Sequence, residues 1–94
     1  MGSAARSKPK RLAEKLLEIR VELGLSQNGL IRQMGFTDDL TQAQISMFGR
    51  GIRQPSLLIL AAYAQVANVY MEALISDDVN LPRRLPARAK KRRY

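Results

Sequence analysis

Thr41-Gln42-Ala43-Gln44-Ile45-Ser46-Met47-Phe48-Gly49-Arg50-Gly51 is the stretch whose reading decides how this chain is organised. A threonine in front of apolar residues three apart predicts a short helix. The Thr41 hydroxyl would cap it, and Ile45 and Phe48 would share one inward face. Gly51 predicts its end, because glycine takes the left-handed conformation that closes a helix at little cost. Gln42, Gln44 and Met47 then fall on the outward face. A glutamine amide carries a donor and an acceptor in one plane, a pair that can bond bidentately to an adenine edge in the DNA major groove.

Working upstream, Phe36, Thr37, Asp38, Asp39 and Leu40 read as a polar turn pinned at both ends by apolar residues. Before it, Ser26 predicts the cap of a helix running to about Met34, with Leu30, Ile31 and Met34 inward and Gly35 as its stop. Gly29 inside that helix costs about 1 kcal/mol relative to alanine, which implies close packing or local weakness. Further back, Leu12, Leu16, Ile19 and Leu23 recur at i, i+4, i+7 and i+11, the stripe of an amphipathic first helix over residues 8–23. Glu14, Lys15, Glu18 and Glu22 fall on its other faces, and Gly24 closes it.

Downstream, residues 52–56 form a basic loop in which Pro55 blocks backward extension of the next helix and Ser56 caps it. That fourth helix, to about Ala67, is nearly all apolar, with Leu57, Leu60, Ala61, Ala64 and Ala67 expected as its deepest face. Asn68 can take the left-handed conformation that ends it. A last short helix presents Met71, Leu74 and Ile75. Tyr63 and Tyr70 read as structural, or as interfacial in a dimer.

Composition narrows the chemistry. Ninety-four residues with a 46% hydrophobic share make one small domain with a thin core. With no Cys there is no disulfide framework, and with no His there is neither an imidazole metal site nor a Ser-His triad. An enzyme is therefore not expected, nor is a cofactor or a metal. Asp38-Asp39 and Asp77-Asp78 lack calcium-site spacing and read as turn and helix-end residues. No apolar run approaches the ~18 residues that span a bilayer, so a cytoplasmic chain with no membrane partner is expected.

The net charge of +8 is unevenly placed. Residues 1–78 hold nine Lys/Arg and all eight acids, one charge above neutral, whereas residues 79–94 hold seven Lys/Arg and no acid. A near-neutral body with a cationic arm points to a polyanionic partner, nucleic acid before membrane. The expected organisation is a disordered start at 1–7, a helical domain at 8–76 and a Pro-containing basic tail at 77–94, largely extended or disordered.

Five short helices, with Leu23-Gly24-Leu25-Ser26-Gln27 before the second and Pro55-Ser56-Leu57 before the fourth, resemble the lambda-repressor-like, Cro-type helix-turn-helix family over residues 12–75. No single piece is specific; the ordered set at this spacing is. The resemblance implies an all-α, compact five-helix domain and a sequence-specific regulator of transcription that binds double-stranded DNA, commonly as a homodimer. It implies that Gln42, Ala43 and Met47 face base edges, with Gln44 and Ser46 at the margins. Gln27, Thr41, Arg50 and Arg53 would meet phosphates.

Three departures stand out. The turn before Thr41 is about four residues longer than the family's. Gly49 stands where the family often has a Glu to pair with an Arg in the first helix, which leaves Arg20 for a phosphate. Ala43 and Met47 would read thymine methyls by apolar contact. Two other readings stay open: an antitoxin-like protein whose tail also wraps a partner protein, and a coating protein without sequence preference.

Overall fold

The computed structural model describes residues 9–85. The start at 1–7 and the charge run of the tail at 87–94 lie outside the described residues. Five helices and no strand make up the rest: α1 (Leu12–Glu22), α2 (Gln27–Met34), α3 (Gln42–Arg50), α4 (Leu57–Ala67) and α5 (Met71–Ile75). The expected caps are in place. Ser26 accepts from the Gly29 amide and Ser56 from the Ile59 amide. Gly35, Gly51 and Asn68 close their helices at φ of 80°, 76° and 60°. Gly29 is closely packed: a Cβ there would lie 3.0 Å from the Ser26 hydroxyl that caps the helix.

α1 packs against α3, α4 and α5, and α2 against α3 and α4, so α1 and α4 enclose the core. Leu12, Leu16 and Ile19 of the α1 stripe are buried, with Leu30, Ile31, Ile45, Phe48, Leu60 and Leu74 from the other helices. Phe36 and Leu40 pin the long turn as expected, Leu40 within the core and Phe36 packed against it. Leu23, the last residue of the expected stripe, lies after the helix end and is partly exposed.

The deep face of α4 differs from expectation. Leu57 and Ala61 are not on it; Ile59, Tyr63 and Val66 are, beside Leu60, Ala64 and Ala67. Leu57 and Leu58 stand in solvent at 72% and 74% exposure. A helix with no polar stripe carries no periodic signal, so its neighbours alone decide which side is buried.

Lys15 is the second correction. Placed by its charge on an outer face, it is 0% exposed, and its ammonium donates to three carbonyls: Ala73 at 2.8 Å, Ser76 at 2.7 Å and Val79 at 2.6 Å. Those bonds use all three of its protons. The Ala73 and Ser76 carbonyls sit at the end of α5, where a helix leaves acceptors without intrahelical partners. Burial pushes the Lys15 pKa down and nearby Arg11 adds to that, against the carboxylates of Asp77, Glu14 and Glu18.

Asp77 completes this junction from the other side. The α1 N-cap, Arg11, supplies no side-chain cap. Instead the Asp77 carboxylate accepts from the Lys10 amide at 3.0 Å and the Arg11 amide at 2.9 Å, while the Arg11 guanidinium donates to the Asp77 carbonyl at 3.0 Å. The two amide bonds hold its carboxyl below the usual aspartate pKa, with Lys15 and Arg11 contributing against some desolvation. Leu81 is buried and Leu85 packs against the core, so the folded body continues past residue 76.

Candidate nucleic-acid interface

α3 is held by a reciprocal cap. The Thr41 hydroxyl accepts from the Gln44 amide at 3.3 Å, and the Gln44 side-chain carbonyl accepts from the Thr41 amide at 2.9 Å. Two amides that a helix start leaves without partners are thereby satisfied. At the other end the Met47 carbonyl accepts from the Ile52 amide at 3.0 Å, which fixes how the basic loop leaves the helix. Ile45 and Phe48 fill the inward face.

The outward residues fall into two groups. Gln42 and Ala43 are exposed, and Met47 is half-buried. Gln44 and Ser46 are engaged by the helix itself: Gln44 by the cap, Ser46 by accepting from the Arg50 guanidinium at 3.1 Å. The threonine and glutamine three apart carry the sequence signature of this cap, and the serine and arginine four apart that of the second pair. Both signals precede any structure. The Thr41 hydroxyl, expected at a phosphate, is the other half of the cap.

α3 is a shared wall of two surface clefts. One, of about 130 Å³, brings Gln27 of α2 together with Ser46 and Arg50, beside Arg20 and Tyr63. One donor of the Arg20 guanidinium is engaged, bonding the Leu25 carbonyl at 2.9 Å and so tying down the α1–α2 turn. Gly49 lies where α3 meets α1. A Cβ there would lie 3.6 Å from the Leu17 Cβ, so α1 and α3 meet along a small residue where a longer one would hold them apart. The phenol of Tyr63 is pushed up to about 12 by burial, with Arg20 opposing.

The second cleft, of about 190 Å³, lies between the entry to α1 and the loop after α3, with Lys10, Phe48, Gly51, Ile52, Arg53 and Pro55 among its walls. Arg53 is exposed there, as expected. Lys10 is the residue the sequence does not single out. Forty-odd positions separate it from Arg53, and only the packing of α1 on α3 brings the two together.

Among the described residues no helix is long and apolar enough to cross a membrane. No family model matches the chain, and no curated protein or solved structure is detectably similar to it.

Proposed function

We propose that the chain is a sequence-specific DNA-binding regulator of transcription, with α2 and α3 as a lambda-repressor-like helix-turn-helix pair and α3 entering the major groove. One observation carries this reading: α3 is short, capped at both ends and buried on one face, its outer side chains Gln42 and Ala43 are exposed, and the same helix walls two clefts, one with Gln27 and Arg50 and one with Lys10 and Arg53. Gln42 supplies the amide pair that recognises adenine, and Ala43 and Met47 supply apolar contact for a thymine methyl. Gln27, Arg50 and Arg53 fix the register on phosphates without reading sequence. Gln44 and Ser46 support this surface by holding the helix start and the Arg50 side chain.

Binding as a homodimer on two half-sites about one helical turn apart fits this mode. The exposed Tyr70 and Ile75, at either end of α5, offer the apolar surface for it. In the antitoxin-like alternative the tail would wrap a partner protein; Leu81 and Leu85, the apolar residues it would use, are already packed on this chain's own core.

Selection of bound duplexes from a random DNA pool tests the proposal. A recovered motif with a repeat of about one helical turn is expected for the full chain. Recovery of no motif, with equal binding to every duplex, would overturn it.

A further inference from the structure

We infer that the cleft walled by α1, α3 and the start of α2 is a seat for a single phosphoryl group, in which the buried Tyr63 hydroxyl is a donor alongside Arg20, Arg50 and Gln27. The phenol is the starting point. Tyr63 is 1% exposed, yet its hydroxyl makes no hydrogen bond to the described residues. No buried side-chain polar atom among those residues lacks a partner, so the hydroxyl is not sealed in. Its residual surface opens into the cleft of about 130 Å³ that Tyr63 lines. A buried tyrosine hydroxyl ordinarily finds a partner, and here the partner has to come from the cleft.

The other walls decide which partner fits. Arg20 spends one donor on the Leu25 carbonyl and Arg50 one on the Ser46 hydroxyl, and a guanidinium has five, so both keep donors to give. Gln27 adds a side-chain amide and is the first residue of α2, where the helix dipole favours an anion. No carboxylate lines the cleft, and the charge that acts on the phenol is the Arg20 guanidinium. Glu18 and Glu22 are exposed and stand two positions to either side of Arg20, so they project from other faces of α1. Glu14, nearer the start of that helix, is paired with Arg11. The rest of the lining, including Leu16, Leu17 and Ile45, is apolar and strengthens charge-assisted bonds made beside it. A carboxylate has oxygens enough for one guanidinium fork, whereas a phosphoryl group satisfies both forks and the phenol together. The volume is ample, since a water needs only about 10–15 Å³. This deepens the phosphate role given above to Gln27 and Arg50, and the duplex arm of its test rests on that reading.

The test titrates the full chain with inorganic phosphate against sodium chloride at constant ionic strength, followed by amide NMR shifts. The parent should show saturable shifts at Gln27, Ser46 and Gly49 that share one dissociation constant. Tyr63→Phe should keep the phosphate-free thermal midpoint within a few degrees, because the hydroxyl bonds nothing in the fold, and weaken phosphate about tenfold. Arg20→Gln should weaken it at least as much, while Arg32→Gln, a cation removed outside the cleft, should leave it unchanged. Shifts that grow without saturating, or equal affinity of the parent and Tyr63→Phe, would overturn the inference. The pool-selected duplex is then added to the phosphate-loaded protein. Displacement of phosphate, with Tyr63→Phe weakening selected and scrambled duplexes alike, assigns the seat to the DNA backbone; phosphate retained beside bound duplex assigns it to a free phosphate or phosphomonoester. Failure of the pool to yield a motif would defeat the major-groove reading and leave the phosphate titration intact.

Discussion

Lys15 and Arg50 are both cations on short helices, and they live in opposite worlds. Lys15 has no exposed surface and gives its three protons to carbonyls 58 to 64 positions away. Arg50 is exposed and bonds one hydroxyl a single turn back. A buried ammonium must be fully satisfied or the fold fails, because an uncompensated buried charge or orphaned acceptor is costly. An exposed guanidinium held by one neutral bond costs little to redirect, so it remains available to a stronger acceptor such as phosphate. Charge alone therefore does not mark an interface; a cation serves a partner only where the fold has not already consumed its donors.

The sharpest way to break this contrast is Lys15→Met, which keeps the side-chain length and removes the donors. Three carbonyls lose their partner, and stability should fall by about 3 kcal/mol or more, read as a drop of at least ~12 °C in the thermal midpoint. Arg50→Met should leave the midpoint within a few degrees. Similar midpoints for the two variants would end the distinction.

Tyr63 extends the contrast to the acid-base behaviour of the core. A phenol raised from 10.0 to about 12 in the folded state keeps its stabilising contribution below pH 10 and loses it as pH rises towards 12. The loss should reach about 2–3 kcal/mol, and Tyr63→Phe should abolish it. Tyrosinate absorbance followed against pH is the direct check: the step missing from the Phe variant should be the one centred near pH 12.

On the exposed side, Gln42→Ala should cost about 1–3 kcal/mol on the selected site and almost nothing on random duplex, whereas Arg53→Ala should weaken both alike. Competition binding with the two duplexes reads this, and an equal loss for Gln42→Ala on both would remove it from the base-reading set. The smallest effect concerns Gly49. Its position accepts a Cβ at ordinary contact distance from Leu17, so Gly49→Ala should stabilise the fold by about 0.5–1 kcal/mol through helix propensity. A lower midpoint would mean that α1 and α3 need closer approach than a methyl group allows.

Local features were legible in the sequence, because capping and turn chemistry act over three or four residues. Ser26, Thr41 and Ser56 as caps, and Gly35, Gly51 and Asn68 as stops, follow from side-chain reach and backbone freedom alone. The all-helical architecture follows from them. What depended on distant partners was hidden. Lys15 looked like a surface charge because its acceptors are backbone atoms, which no sequence pattern advertises. The bond from Arg20 to the Leu25 carbonyl is equally hidden, because that acceptor too is a backbone atom. The buried side of α4 was legible only in part, at Leu60, Ala64 and Ala67, because Gln65 alone marks the outer side of an otherwise apolar helix. Within the candidate site, Gln42 is readable as outward, and the threonine–glutamine spacing that engages Gln44 in the reciprocal cap is legible as well.

The cap that Asp77 places on α1 also bears on the order in which the molecule can be assembled. Its acceptor atoms lie 66 positions downstream of the Arg11 amide they satisfy. During synthesis the first turn of α1 is made long before its cap exists, so it must wait frayed or hydrated while α2, α3 and α4 find their local stops. Closing so long a loop is entropically slow, and the reward arrives only when the end of α5 and the Lys15 carbonyl cage dock together. Although first in chain order among the five described helices, α1 is thus among the last of them to be finished.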